Sequence, residues 1–84
     1  MFHKRSETEI IYDLLSATKK DIKKTRLMYK TNMTYTRFTK YLDVLIEKDL
    51  LAQKDTNPKG KIYYTTEDGQ KLLESLHTAL NYLK

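Results

Sequence analysis

Turn-forming residues in this 84-residue chain are gathered in one place. There are two glycines and one proline, and Asp55-Thr56-Asn57-Pro58-Lys59-Gly60 is the only stretch dense in turn residues. An all-β fold needs a turn every eight to twelve residues or so. Collagen and flexible linkers need far more glycine and proline. These classes are therefore excluded, and what remains is a run of helices broken by one hairpin. Hydrophobic residues make up 39% and charged residues 32%. The apolar ones are spaced rather than sparse, so the chain folds instead of staying disordered. A single domain of this length buries only about 60% of its unfolded surface, which leaves a thin core and makes a partner subunit a real option.

No cysteine is present. That removes disulfides, thiol catalysis, iron–sulfur clusters and cysteine-based zinc sites, and it fits a reducing, cytoplasmic setting. No apolar run reaches membrane-spanning length. Met1-Phe2-His3-Lys4-Arg5 is followed by Ser-Glu-Thr-Glu rather than by an apolar stretch, so no signal peptide is expected.

Ser6-Glu7-Thr8-Glu9 has the form of a capping box. Ile10, Ile11, Leu14 and Leu15 follow at helical spacing, which predicts helix 1 over about 7–19. Lys19, Lys20, Lys23 and Lys24 are expected to complement the negative end of its dipole. Thr25 is expected to cap helix 2 (about 26–31), and Thr34 to cap helix 3 (about 35–48). Phe38, Leu42, Leu45 and Ile46 form the inward stripe of helix 3. Residues 50–54 and 61–65 read as two strands of a hairpin, and Thr66 caps a last helix from about 67 to the end. The predicted class is mainly α with a small β-hairpin, a winged helix-turn-helix with an added C-terminal dimerisation helix. Residues 1–5 are expected to be a mobile arm, 6–66 the winged helix-turn-helix domain and 67–84 the C-terminal helix.

The string Thr25-Arg26-Leu27-Met28-Tyr29-Lys30-Thr31-Asn32-Met33-Thr34-Tyr35-Thr36-Arg37-Phe38-Thr39-Lys40-Tyr41-Leu42, then Leu45-Ile46-Glu47-Lys48-Asp49-Leu50-Leu51, resembles the small archaeal winged-helix DNA-binding proteins. These are the Sulfolobus "ten-a" chromatin family and its regulator relatives. Tyr64-Thr65-Thr66-Glu67-Asp68-Gly69 is similar to the strand-to-helix junction common after the wing in such proteins. The resemblance runs from about residue 6 to residue 84. It implies duplex-DNA binding by dimers joined through an antiparallel coiled coil of C-terminal helices. One departure stands out: Asp49 occupies the place where many relatives have the glycine that ends helix 3, so a differently built helix end is expected there.

Charge is distributed to match. The chain carries +5, and residues 25–64 hold eight basic against four acidic side chains. With Phe38, Leu42 and Leu45 inward, Thr36 and Lys40 point away near the start of helix 3, and Asp43 and Glu47 near its end. Arg37 lies on one flank, placed for guanine O6/N7, and Thr36 for a thymine methyl. Thr34 and Tyr35 open the helix, although Tyr35 and Tyr41 also read as packed rings with wet hydroxyls. Thr25 and Arg26 offer a phosphate clamp at the start of helix 2, with Tyr29 and Lys30 beside the sugar–phosphate backbone. The wing contributes Lys54, Lys59 and Lys61. A solvated amphipathic helix and a turn made soluble by lysines are the competing readings.

Leu73, Leu76, Leu80 and Leu83 fall at spacings of 3, 4 and 3, with Leu72 and Ala79 widening the seam. A homodimer through this helix is expected, with folding back onto helix 1 as the alternative. His3 and His77 are far apart, there is no glycine-rich phosphate loop and no Ser/His/Asp arrangement. Neither enzyme nor cofactor nor metal site is expected, and no small-molecule ligand. The partners expected are double-stranded DNA and a second copy of the chain, not a membrane. A winged-helix module that binds only protein is the alternative function.

Overall fold

A computed structural model describes residues 5–56 and 60–83. The Ser6 hydroxyl accepts from the Glu9 backbone N–H and the Glu9 carboxylate accepts from the Ser6 N–H, both at 3.1 Å. This capping box opens α1 (Glu7–Ala17). Then come β1 (Ile22–Lys23), α2 (Lys24–Thr31), α3 (Tyr35–Glu47), β2 (Leu51–Asp55), β3 (Lys61–Thr65) and α4 (Glu67–Tyr82). The plan is the expected helices and hairpin with one strand more. β1 is two residues long and pairs antiparallel with β3, so the sheet order is β1-β3-β2. Ile22 and Lys23 carry no periodicity of their own and form a strand only because Tyr63 and Ile62 lie alongside.

Two helix boundaries differ from expectation. α1 stops at Ala17, with Thr18 as its C-cap: the Thr18 carbonyl accepts from the Thr65 N–H of β3, and its hydroxyl donates back to the Leu14 and Leu15 carbonyls at 2.8 and 3.1 Å. The lysines at 19–24 therefore lie beyond the helix, and its last turn holds no base. α2 starts at Lys24, after an N-cap, Lys23, that makes no side-chain hydrogen bond; Thr25 sits inside the first turn and is not the cap. The pairing of Ile22 and Lys23 with β3 sets that start. Thr34, in contrast, caps α3 as expected, its hydroxyl accepting from the Arg37 N–H.

The core is one cluster: Ile10, Leu14 and Leu15 of α1, Leu27 of α2, Phe38, Leu42 and Leu45 of α3, Leu51, Tyr63, and Leu73 of α4. Thr18 and Thr65 lie with their hydroxyl oxygens 2.7 Å apart, the Thr65 hydroxyl donates to the Leu15 carbonyl, and the Thr65 N–H donates to the Thr18 carbonyl. The end of α1 is thereby fastened to the end of β3. Arg5 donates to Asp13 and to the Thr31 carbonyl, both at 2.7 Å, so it ties α1 to the end of α2. Residues 1–4 of the expected arm lie outside the described residues; Arg5 is anchored.

α4 begins by packing on α1. Leu73 is 5% exposed in the chain's own core, and Leu72 and Leu76 pack partly against it. Leu73 is thus taken up inside the chain. The last turn is different: Tyr82 and Leu83 are 86% and 81% exposed. The radius of gyration is 13.0 Å, above the roughly 12 Å of a compact chain this long, in keeping with a helix that runs past its core.

Two backbone details locate the joints. Asp49 adopts the left-handed conformation at φ 59°. Its N–H donates to the Ile46 carbonyl and the Leu50 N–H to the Leu45 carbonyl, which closes a Schellman end of the kind glycine favours. The end of α3 is therefore built in the usual way with an unusual residue. Gly69 abuts that same turn. A Cβ there would run into the Leu50 carbonyl oxygen and come within 2.7 Å of the Thr65 methyl. Thr66 completes the joint, its hydroxyl donating to the Asp49 carbonyl at 2.6 Å and accepting from the Gly69 N–H at 3.0 Å.

These joints give opposite expectations in thermal melts. Asp49→Gly should raise stability by about 1 kcal/mol, since glycine carries no penalty at positive φ. Gly69→Ala should lower it by about 2 kcal/mol or more, some 8 °C or more for a domain this small. Equal midpoints for both variants and the parent would show that neither joint is strained as described.

Candidate nucleic-acid interface

α3 divides along its length. Phe38, Leu42 and Leu45 are buried, at 0%, 2% and 1% exposure, and fix how the helix is rotated. Thr34, Tyr35, Thr36, Arg37 and Lys40 are all exposed on the opposite side, along the N-terminal edge. Asp43 and Glu47 are exposed nearer the C-terminal end. Positive charge is thus placed at the leading half and negative charge where the helix leaves. Tyr41 packs partly on the core, as read from sequence. Tyr35 does not: it is 64% exposed, and the Lys24 ammonium lies 5.6 Å from its ring centroid. That cation–π contact joins the start of α2 to the start of α3.

At the α2 end, Thr25, Arg26, Tyr29 and Lys30 are exposed. No acidic residue lies in its first turn. In the wing, β2 and β3 pair in register from Leu51–Thr65 to Asp55–Lys61, and the Thr56 N–H donates to the Gly60 carbonyl at 3.0 Å. Lys61 is exposed near the tip, while Lys59 lies outside the described residues. Lys54 is half spoken for. Its ammonium lies 3.7 Å from Asp21 and 5.6 Å from the Tyr64 ring centroid, so part of its charge is answered within the chain.

The architecture matches known proteins. The winged helix-turn-helix family model fits residues 4–84. The chain belongs to the winged helix-turn-helix family. It is similar to the Methanocaldococcus jannaschii protein MJ0287, with 37% identity over 89% of this chain and 73% of the relative. A second protein of that organism, MJ0290, is 32% identical over 87% of this chain, which spans about one third of its length (33%). Among solved structures it is similar to Sso10a-2, a DNA-binding protein from Sulfolobus solfataricus, at TM-score 0.83 and 31% identity over 93% of this chain and 81% of that one. It is also similar to F93 from STIV, a winged-helix DNA-binding protein, at TM-score 0.74 and 25% identity over 92% and 91%. The expected resemblance to small archaeal winged-helix DNA-binding proteins therefore holds over nearly the whole chain.

Two things were missed from sequence: the cation–π contact of Lys24 with Tyr35, and the position of Lys23 and Lys24 at the N-terminus of α2. The signal was present. Between Asp21 and Asp43 there are six cations and no carboxylate. Among the described residues no group of three or more His, Asp or Glu side chains is arranged to hold a metal, and no helix is long and apolar enough to cross a membrane.

Behind α3, burial pushes the Tyr63 phenol above its ordinary value of 10.0, with the Asp43 carboxylate and Tyr35 adding to the effect. The unfolded chain loses that proton near 10.0 and the folded one only at higher pH. Between these points the folded state holds the extra proton, so stability falls as pH rises. Urea midpoints measured from about pH 9 to about pH 11 should drop more steeply for the parent than for Tyr63→Phe. Parallel curves would mean the phenol is not perturbed.

Proposed function

We propose that the chain is a duplex-DNA-binding protein that lays α3 in the major groove and the β2–β3 wing on the backbone or in the minor groove. It acts as a dimer, in transcription regulation or in packing DNA, and so works at the nucleoid. The observation that carries this reading is the exposed row Tyr35, Thr36, Arg37 and Lys40 on a helix whose other side is buried. In helix-turn-helix proteins the leading residues of the second helix meet base edges. Arg37 suits a bidentate bond to guanine and Thr36 a thymine methyl. Thr25 and Arg26 clamp a phosphate at the first helix, Thr34 caps the reader, and Lys54, Lys59 and Lys61 follow the backbone at the wing. The similarity to Sso10a-2 and F93, both DNA-binding proteins by description, supports the same reading.

The dimer contact lies toward the end of α4. Ala79 and Leu83 are exposed there beside Tyr82, and Leu80 is half-buried. Leu72 and Leu76 keep part of their surface free. Two large apolar side chains left in water at one helix end form a surface suited to a second copy.

Anisotropy titration against a random duplex tests the reader. Arg37→Ala/Lys40→Ala should bind at least tenfold more weakly at low salt, and Lys61→Ala should flatten the log–log salt slope by about 0.9. A parent that does not bind duplex at low salt would leave a protein-interaction module as the function. Sedimentation tests the dimer: Leu80→Glu/Leu83→Glu should run as a monomer where the parent runs as a dimer, with helical circular dichroism retained. A parent already at monomer mass would remove the α4 contact.

A further inference from the structure

Four lysines crowd residues 19–24. A helix dipole does not account for them, because α1 ends at Ala17 with no base in its last turn. Lys20 and Lys23 instead line a cleft of about 780 Å³ whose other wall is α2, with Arg26, Tyr29 and Lys30. Asp21 is the only carboxylate in the lining, and it lies 3.7 Å from the Lys54 ammonium of the wing. Among the described residues, Lys20, Lys23, Arg26 and Lys30 have no carboxylate partner. Tyr29 stands in their midst, 75% exposed.

Four like charges facing one concavity repel each other and focus their field into it, which favours an anion that brings several charges at once. Tyr29 adds a hydroxyl donor suited to a phosphate oxygen. The cleft includes the start of α2: Arg26 lines it, and Lys24, two residues earlier, bridges to Tyr35, the first residue of α3, with its ammonium 5.6 Å from the ring centroid. The sequence holds no carboxylate between Asp21 and Asp43, the stretch that supplies Lys23, Arg26, Tyr29 and Lys30.

We propose that this cleft binds the phosphodiester backbone of the same duplex, beyond the turn of DNA occupied by α3. Lys20 and Lys23 contact phosphates from one wall, and Arg26, Tyr29 and Lys30 from the other. The proposal rests on the duplex-binding reading above and enlarges its footprint by a surface that neither the recognition helix nor the wing supplies.

The test uses Lys20→Ala/Lys23→Ala, two exposed side chains outside the core. Anisotropy titrations across a salt series compare a duplex of about 10 base pairs, roughly one helical turn, with one of about 25. On the longer duplex the double variant should lose roughly tenfold in affinity and about 1.8 in salt slope, for two phosphates released. On the shorter duplex it should match the parent, whereas Arg37→Ala/Lys40→Ala should weaken both. If the parent binds neither duplex, the duplex-binding reading fails and takes this proposal with it. If the parent binds both and Lys20→Ala/Lys23→Ala keeps the parent's slope on the longer one, the cleft is overturned while α3 stands. Equal loss on both lengths also overturns it, since the contact would then not lie beyond one turn. So does a variant that keeps single-duplex affinity but no longer brings two labelled duplexes together, because the occupant would then be a second molecule.

Discussion

Burial of Phe38, Leu42 and Leu45 is the interaction on which the rest of this molecule depends. Each such side chain is worth roughly 1.5–3 kcal/mol when removed from water. Turning α3 by one residue would bring polar side chains into the core and expose these three. The rotation of the helix is therefore held by its apolar side, and the direction of Thr36, Arg37 and Lys40 follows from it. The Thr34 cap sets where the helix begins and the left-handed Asp49 sets where it ends. Gly69 then lets the first turn of α4 approach the Leu50 carbonyl, so that α3, the sheet and the last helix meet at one joint.

Charge follows the same geometry. α3 is basic at its leading edge and acidic toward its end. α2 carries no acidic residue in its first turn and presents Lys24 to Tyr35. The wing is less positive than a count of its lysines suggests, because Lys54 lies near Asp21. The cationic surface thus centres on the two helices of the motif, with the hairpin as a lesser contributor.

α4 serves two ends. Its first half completes a thin core through Leu73, with Leu72 and Leu76 packed partly against it. Its last turn leaves Tyr82 and Leu83 in water. Tyr12 and His77 mark the changeover, with the hydroxyl 3.1 Å from His77 Nδ1 and the rings stacked at a centroid distance of 6.2 Å. A leucine seam with one spacing can therefore divide between the chain's own core and the surface offered outward, because α1 is shorter than α4: 11 residues against 16.

Local chemistry alone determined the capping box at Ser6, the caps at Thr34 and Thr66, the inward stripe of α3 and the placement of both wing strands. Each is set by neighbours within a few residues, through one hydrogen bond or one repeat of the helix or strand period. Partners far away in the chain decided the rest. β1 exists because β3 runs past Ile22 and Lys23, and Thr65 holds the end of α1 across 47 residues. Asp49 accepts a left-handed backbone because the joint with Thr66 and Gly69 needs the chain to turn there. Lys54 meets Asp21, 33 residues earlier in the chain, only once the sheet is assembled. A linear reading finds periods and caps, whereas pairing, close approach and the convergence of distant charges are properties of the folded chain.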